Sequence, residues 1–194
     1  MGLNTISGLP VHVLVVHAVV VLLPLAAIAT ALVAVWAGAR RRHGLLALVF
    51  TFVATLTVPV ATFSGEALAE RFSRKTPALR THTSIGSSLL PWAAVMGLTL
   101  ALLVAVDIYR RAVAPAAASP EPLSRPERWL VGRLPVGARR PGPRSWLRPL
   151  SLLAAALAFV SAVGAGVTVV RVGDSGARAA WGQRSDLSPV NAGR

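Results

Sequence analysis

The sequence predicts an all-α integral membrane protein, folded as a bundle of four transmembrane helices. Of the 194 residues, 54% are apolar, yet the formal net charge is +13. The arginines collect between long uncharged stretches, which is the membrane pattern. Four such stretches come near or exceed the roughly 20 helical residues that cross about 30 Å of hydrocarbon. Because these stretches do not alternate as barrel strands do, helices are the only structure that satisfies their backbone in lipid.

Each of the four apolar runs is expected to form one membrane-spanning helix. The runs cover Val11–Ala37, Leu45–Phe63, Ile85–Val106 and Leu150–Val170. The first run is too long for the core of a signal peptide, and residues 1–12 contain no Lys or Arg to begin one, so it is interpreted as a permanent helix. Pro24, Pro59 and Pro91 lie within the first three runs, where each is expected to kink its helix.

The runs divide the chain into three parts. Residues 1–110 hold helices one to three, with an outer loop at 64–84. Residues 111–149 form a linker rich in Pro, Ala and Arg, and residues 150–194 hold helix four and an external tail.

The linker is predicted to be mostly irregular. Residues 127–134 are expected to form a short amphipathic helix, with Trp129 and Leu130 against the lipid headgroups and the arginines near anionic lipid.

The basic residues predict the orientation. The loop after helix one and the segment from Arg110 to Arg148 together hold twelve arginines, whereas the other side holds eight basic residues. The tightest cluster, Arg40–Arg42, follows helix one, and the N-terminal tail has no basic residue, so both termini are expected outside. Lys75 is the single lysine, and the dominance of Ala, Val, Leu and Arg indicates a GC-rich bacterial genome. The expected location is therefore a bacterial cytoplasmic membrane.

Several classes of function are excluded by what the sequence lacks. The absence of cysteine excludes disulfides, iron–sulfur ligation, a thiol nucleophile and thioether-bound haem. No zinc module or basic groove motif indicates nucleic-acid binding. Residues 173–178, Gly-Asp-Ser-Gly-Ala-Arg, are similar to the surroundings of the trypsin-like serine, but the chain has no two-barrel fold to present it. These glycines instead predict a tight turn after helix four, with Asp174 and Ser175 capping the segment after it.

The histidines carry most of the functional information. His12, His17 and His82 are predicted on the outer side, whereas His43 lies among the arginines of the other side. An imidazole within hydrocarbon is costly and usually faces the bundle interior, which makes His17 the leading candidate. His12 and His17 are five residues apart, about 140° around a helix, so a pair drawn from two helices is more natural.

The leading hypothesis is a membrane subunit without strong enzymatic activity that binds b-type haem. Its axial ligands are His17 and His82, with His12 as an alternative. A small metal-ion site is the second alternative, formed by His12, His17 and His82 with Glu66. The third is a cofactor-free protein that packs against a membrane partner, in which the histidines have only structural contacts.

The chain resembles an uncharacterised family of small bacterial membrane proteins known as domain of unknown function 2231. The shared blocks, in order, are Gly-Leu-Pro-Val-His at 8–12, Val-His at 16–17, Ser-Gly-Glu at 64–66, Arg80 with His82, and Val-Gly-Asp-Ser-Gly-Ala at 172–177. The chain departs from the family at Val13 and Val19, where proline is frequent, and the linker resembles an insertion. The family is similar to b-type cytochromes in its four-helix layout, and some relatives are joined to Rieske domains. The resemblance therefore implies electron transfer with a redox partner.

The predicted orientation can be tested by labelling intact cells. The chain has no cysteine, so a single one introduced at Ser7 or Ser185 should react with an impermeant thiol reagent, whereas one at Ser124 should not. Labelling at position 124 alone would reverse the topology.

Overall fold

The computed structural model describes residues 5–6, 9–69, 76–113, 123–134 and 145–181. Within these ranges, side chains are described from residue 14 onward, apart from residues 68, 69, 180 and 181. The predicted outer-loop residues at 70–75, two stretches of the linker and the C-terminal tail from 182 lie outside the described residues.

Helices make up almost all of the described chain. They are α1 (Val11–Val35), α2 (Ala37–Ala69), α3 (Pro77–Ser87), α4 (Leu89–Val113), α5 (Arg125–Gly132) and α6 (Leu147–Trp181). A two-residue antiparallel pairing of β1 (Thr5–Ile6) with β2 (Leu9–Pro10) precedes α1. Four segments are long and apolar enough to cross a membrane: α1, α2, α3 together with α4, and α6. The predicted all-α bundle of four membrane helices is confirmed.

The four spans pack as a ring. Helices α1 and α4 each pack against both α2 and α6, so the order around the ring is α1, α2, α4, α6. Hydrogen bonds link α2 to the end of α4 through Arg40 and Asp107, and α3 to the end of α6 through His82 and Ser175. These contacts place the C-terminal ends of α1 and α4 on the same side of the bundle. Helix α6 is therefore antiparallel to both. We refer to the side with Arg40 and Asp107 as the arginine end, and to the side with His82 as the histidine end.

The core is made of apolar and small residues, with two pairs of hydroxyls inside. Thr30 and Thr51 are fully buried and join α1 to α2 at 3.2 Å between their Oγ1 atoms. Thr99 Oγ1 and Ser161 Oγ join α4 to α6 at 3.1 Å. Helix α6 buries a stripe of small side chains that lets its neighbours approach closely, so packing is the role of these residues. The stripe consists of Ala154, Ala158, Ser161, Ala162 and Ala165.

Several helices are longer than the apolar runs predict. Trp36 alone separates α1 from α2, so Arg40–Arg42 lie in the first turns of α2 rather than in a loop. Arginine is a good helix former, and Arg40 Nη1 also donates to the carbonyls of Val33 and Ala34, at 2.8 and 3.1 Å, at the end of α1. The charged side chain therefore stabilises the end of one helix while belonging to the next.

The structure bears on three local predictions about helix ends and breaks. The predicted outer loop at 64–84 is helical in its described parts, since α2 continues to Ala69 and α3 begins at Pro77. The tight turn predicted at 173–178 does not form, because α6 continues to Trp181. Pro91 lies in the first turn of α4, and the span that contains it is interrupted at Ser88, between α3 and α4.

A buried chain of ion pairs closes the arginine end. Asp107 accepts from Arg40 Nε at 3.4 Å and from Arg111 Nε at 3.0 Å. Arg111 also makes a two-pronged contact with Glu127 of α5, with Nη1 at 3.2 Å from Oε2. The four side chains are at most 10% exposed. Two positive and two negative groups alternate, so no net charge is buried.

Helix α5 confirms the short helix predicted in the linker. It begins with a capping box in which the backbone N–H of Ser124 donates to Glu127 Oε2 at 2.7 Å. Burial would raise the pKa of the Glu127 carboxyl, but the hydrogen bonds from Arg111 and Ser124 and the Arg111 charge together hold this pKa below its ordinary value. Glu127 therefore stays ionised at neutral pH and fixes α5 to the end of α4.

Close packing of α4 on α6 depends on one glycine. A Cβ added at Gly164 would overlap the ring carbons Cε3 and Cζ3 of Trp92, whereas one added at Gly166 would lie 3.9 Å from the nearest atom, the Cβ of Ala27. The indole therefore occupies the space that a side chain at position 164 would need.

Gly164→Ala is expected to lower the stability of the bundle by about 1–3 kcal/mol, because the Trp92 ring must move to admit the methyl group. The measurement is the thermal unfolding midpoint of the detergent-purified protein. Gly166→Ala is the matched control, on the same helix with room for the methyl group, and it should unfold close to the parent. Equal midpoints for both variants would contradict the contact.

Candidate functional site

The histidine end contains the candidate site. It is formed by the beginning of α1, by α3 and by the last turns of α6. Helix α3 begins at Pro77, because Thr76 accepts from the backbone N–H of Leu79 at 3.3 Å and proline is favourable at the first helical position. The helix packs mainly against α6, and it carries His82 in its middle.

His82 is half-buried and hydrogen-bonded to α6. Its Nδ1 lies 3.1 Å from Ser175 Oγ. The Ser175 hydroxyl is buried and donates its proton to the carbonyl of Val172 at 2.9 Å. Since a hydroxyl has only one proton, both hydrogen bonds can form together only when Ser175 Oγ accepts from the Nδ1–H of His82. In this tautomer of the neutral ring the proton is on Nδ1. Nε2 then carries the lone pair that can bind a metal or accept a proton.

Gly176 leaves room for the imidazole of His82 against α6. A Cβ at this position would lie 3.1 Å from Cε1 and 3.4 Å from Nδ1 of His82, closer than most real contacts of a Cβ. The neighbouring residue, Ser175, supplies the hydrogen bond. The two residues together determine both the distance of the His82 ring from α6 and its orientation. We refer to Ser175 and Gly176 as the seat of His82.

This geometry also bears on the similarity to the serine-protease motif. Ser175 Oγ lies within hydrogen-bond distance of a backbone carbonyl, that of Val172, as well as of the imidazole. Asp174 pairs with Arg178 at the surface, not with His82. The arrangement is therefore not that of a catalytic triad.

His17 does not occupy the interior position expected for it. Its side chain is exposed, whereas Val19 is 4% exposed and belongs to the core. Residues two apart on a helix differ by about 200°, so the face that buries Val19 turns His17 away from the core. The expectation of an inward-facing His17 is therefore wrong.

His17 nevertheless lies near the level of the His82 seat along the bundle axis. Helices α1 and α6 are antiparallel, and Ala27 of α1 faces Gly166 of α6. Going toward the histidine end, His17 comes ten residues from Ala27, and Gly176 comes ten residues from Gly166. Each separation corresponds to about 15 Å of helix. His17 and Gly176 therefore share a level.

The remaining candidates are less well placed or lie outside the description. His12 belongs to α1, but its side chain lies outside the described residues. Glu66 is exposed in the extended part of α2, and His43 is exposed at the arginine end. Among the described residues, no group of three or more His, Cys, Asp or Glu side chains could hold a metal ion. The described part of the chain thus gives no support to the metal-ion alternative built on Glu66.

Comparison with known proteins identifies the family. The family model described as a predicted membrane protein, DUF2231, matches residues 8–126. The chain belongs to this family. The sequence resemblance is therefore confirmed, and the matched range includes His12, His17, Glu66 and His82. No curated protein and no solved structure matches the chain.

In this DUF2231 protein, the seat of His82 lies beyond the range matched by the family model. Ser175 and Gly176 belong to the block at 172–177, and the match ends at residue 126 within the predicted linker. The sequence placed Ser175 in this block and predicted it to cap a helix, but it did not predict the contact with His82. The signal that could have found its role is the spacing of seven residues between Ser161, Thr168 and Ser175, which keeps them on one helix face.

The tautomer of His82 can be tested by nitrogen NMR of histidine-labelled protein in detergent, at a pH where the ring is neutral. The parent should show a protonated Nδ1 and an unprotonated Nε2 for the signal that His82→Gln removes. Ser175→Ala should shift this signal toward the Nε2–H form, because the acceptor for Nδ1–H is lost. Ser161→Ala removes a buried hydroxyl elsewhere on α6 and should leave the signal unchanged. An Nε2–H tautomer in the parent would contradict the assignment.

Proposed function

We propose that this DUF2231 protein is a membrane subunit that binds b-type haem at the histidine end and transfers electrons. In this proposal His82 would hold the haem iron through Nε2, together with a histidine of α1. The observation that carries the proposal is the hydrogen bond between His82 Nδ1 and Ser175 Oγ, because ligating histidines usually form a hydrogen bond through their second ring nitrogen to a fixed partner.

The donor set fits haem better than a bare metal ion. A porphyrin supplies four nitrogen ligands to its iron, so the protein needs to add only two imidazoles. A bare ion would need three or more protein ligands, and no such group exists among the described residues. The absence of cysteine excludes a thioether-bound c-type haem, so the haem would be held without a covalent bond to the protein.

Two histidines of α1 compete for the second ligand. His17 lies at the same level along the bundle as Gly176, which supports His17 as the second ligand. Its side chain is exposed, so the haem or a neighbouring molecule would have to cover it. His12 precedes Val19 and Ala26 by one and two steps of seven residues, a spacing that places position 12 on the helix face that those residues bury. We therefore propose His82 with either His17 or His12.

In the proposed function, haem would supply one-electron chemistry while the protein determines its position and its surroundings. The seat of Ser175 and Gly176 would hold the His82 ring in a constant orientation. The Ser175 hydrogen bond would also make Nε2 a better donor to iron. A redox partner would approach the histidine end, which we expect on the outer side of a bacterial cytoplasmic membrane.

The test is the absorbance of protein expressed with ample haem and purified in detergent. The parent should show a Soret band that shifts on reduction with dithionite, and acid-acetone should extract the pigment. His82→Ala should remove most of the bound haem. Of His12→Ala and His17→Ala, the variant that removes the second ligand should do the same.

His43→Ala is the control, since His43 lies at the arginine end and should leave the spectrum unchanged. Equal spectra for His82→Ala and the parent would refute the ligand assignment. A colourless parent would refute haem binding altogether and would favour the alternative, a cofactor-free protein that packs against a membrane partner.

A further inference from the structure

Helix α5 lies outside the ring of four spans and is fixed to it by a buried carboxylate. Arg111, at the end of α4, contacts Glu127 with two of its nitrogens, and the Glu127 side chain is 5% exposed. A two-pronged contact of this kind restrains orientation as well as distance. Helix α5 is therefore held with one defined face toward the bundle.

The depth of α5 follows from its apolar contacts. Leu123, just before the helix, and Val131 pack against a core cluster that includes Val104 and Ile108 of α4. The membrane-spanning segment that contains these residues ends at Val113. Helix α5 thus lies beside the end of a span, at the level where hydrocarbon gives way to headgroups.

The opposite face of α5 is basic and aromatic. Arg125, Trp129 and Arg133 are spaced four residues apart and are all exposed, with Trp129 at 59%. The guanidinium carbon of Arg133 lies 3.8 Å from the centre of the Trp129 ring. Glu127, the only acidic residue of the helix, is engaged with Arg111 on the other face, so nothing on α5 neutralises these arginines.

We propose that this outer face of α5 binds the headgroups of anionic phospholipids. Tryptophan prefers the interface between headgroups and hydrocarbon, and arginine matches the oxygen geometry of a phosphate. Basic side chains near an anionic membrane surface are attracted to it. A lipid headgroup fits this face for two reasons. The depth of α5 brings headgroups beside Trp129, and the negative charge of an anionic headgroup complements the arginines. The ion pair with Glu127 sets the face that is presented.

This lipid site is separate from the proposed haem site, because it lies at the arginine end. A failure of either proposal leaves the other untouched. The chain has no cysteine, so a single one replacing Leu130, which is 42% exposed, can carry an environment-sensitive fluorophore.

The experiment compares the labelled full-length protein in nanodiscs of phosphatidylcholine with nanodiscs that also contain phosphatidylglycerol. Emission should be shifted to shorter wavelength when phosphatidylglycerol is present, because headgroups bound to the outer face of α5 exclude water from the probe. The double variant Arg125→Gln with Arg133→Gln should lose most of this difference. Arg178→Gln removes an exposed arginine at the histidine end and should retain it. Free inorganic phosphate at equal ionic strength should have no effect.

Native mass spectrometry gives a second readout that does not depend on the fluorophore. The parent should retain phosphatidylglycerol several-fold more often than phosphatidylcholine, and the double arginine variant should lose this preference. Identical emission in the two nanodiscs together with no lipid preference would overturn the proposal. So would a lipid preference that the double variant keeps, since it would place the lipid elsewhere.

Discussion

Lipid offers no hydrogen-bond partner, and this constraint governs how each polar group of the bundle is used. The chain meets it with hydroxyl pairs inside the ring, such as Thr30 with Thr51, and with ion pairs at one end. In the part of the chain that the structure describes, no buried side-chain nitrogen or oxygen lacks a hydrogen-bond partner. An unpaired polar group at such depth would cost several kcal/mol. The pairs Thr30–Thr51 and Thr99–Ser161 therefore satisfy their own hydroxyls and at the same time join neighbouring helices.

The two ends of the bundle satisfy this constraint in different ways. At the arginine end, Arg40, Asp107, Arg111 and Glu127 form a chain in which both carboxylates contact guanidinium groups, and the chain joins α2, α4 and α5. Such a network restrains orientation and leaves no polar group for chemistry. At the histidine end, a single imidazole is held through one nitrogen by Ser175. Its other nitrogen, Nε2, makes no hydrogen bond to Ser175.

The sequence predicted the spans well because placing a charged side chain in lipid costs much free energy. This cost depends on the local sequence and not on the rest of the fold. A run of 20 apolar residues needs no knowledge of the rest of the fold to be recognised. The ends of the helices were predicted less well. By composition, Arg40 lies outside the apolar run of α1. In the structure its side chain donates to a carbonyl of α1 and so joins α1 to α2. That contact depends on where Asp107, 67 residues later, holds the guanidinium group.

The candidate site was predicted only in part, for the same reason. His82 was named from its residue type, but its partner lies 93 residues away and was interpreted as a helix cap. The exposed side chain of His17 depends on the rotation of α1, which is fixed by the burial of Val19, Leu23 and Ala26 and not by the histidine. Sequence patterns identify which residues can carry chemistry, whereas the packing of apolar neighbours decides which of them face one another.

The continuation of α6 through its glycines links the core to the candidate site. Ala154, Ser161, Thr168 and Ser175 are seven residues apart, and all four are buried. A helix that ended in a turn near Gly173 would have taken Ser175 off this stripe and away from His82. Because the helix continues, the same period that packs Ala154 inside the ring brings Ser175 against α3, and Gly176 beside it leaves room for the ring. The seat of His82 is thus the last position of a packing stripe, and any change that rotates α6 in the core would also move the imidazole.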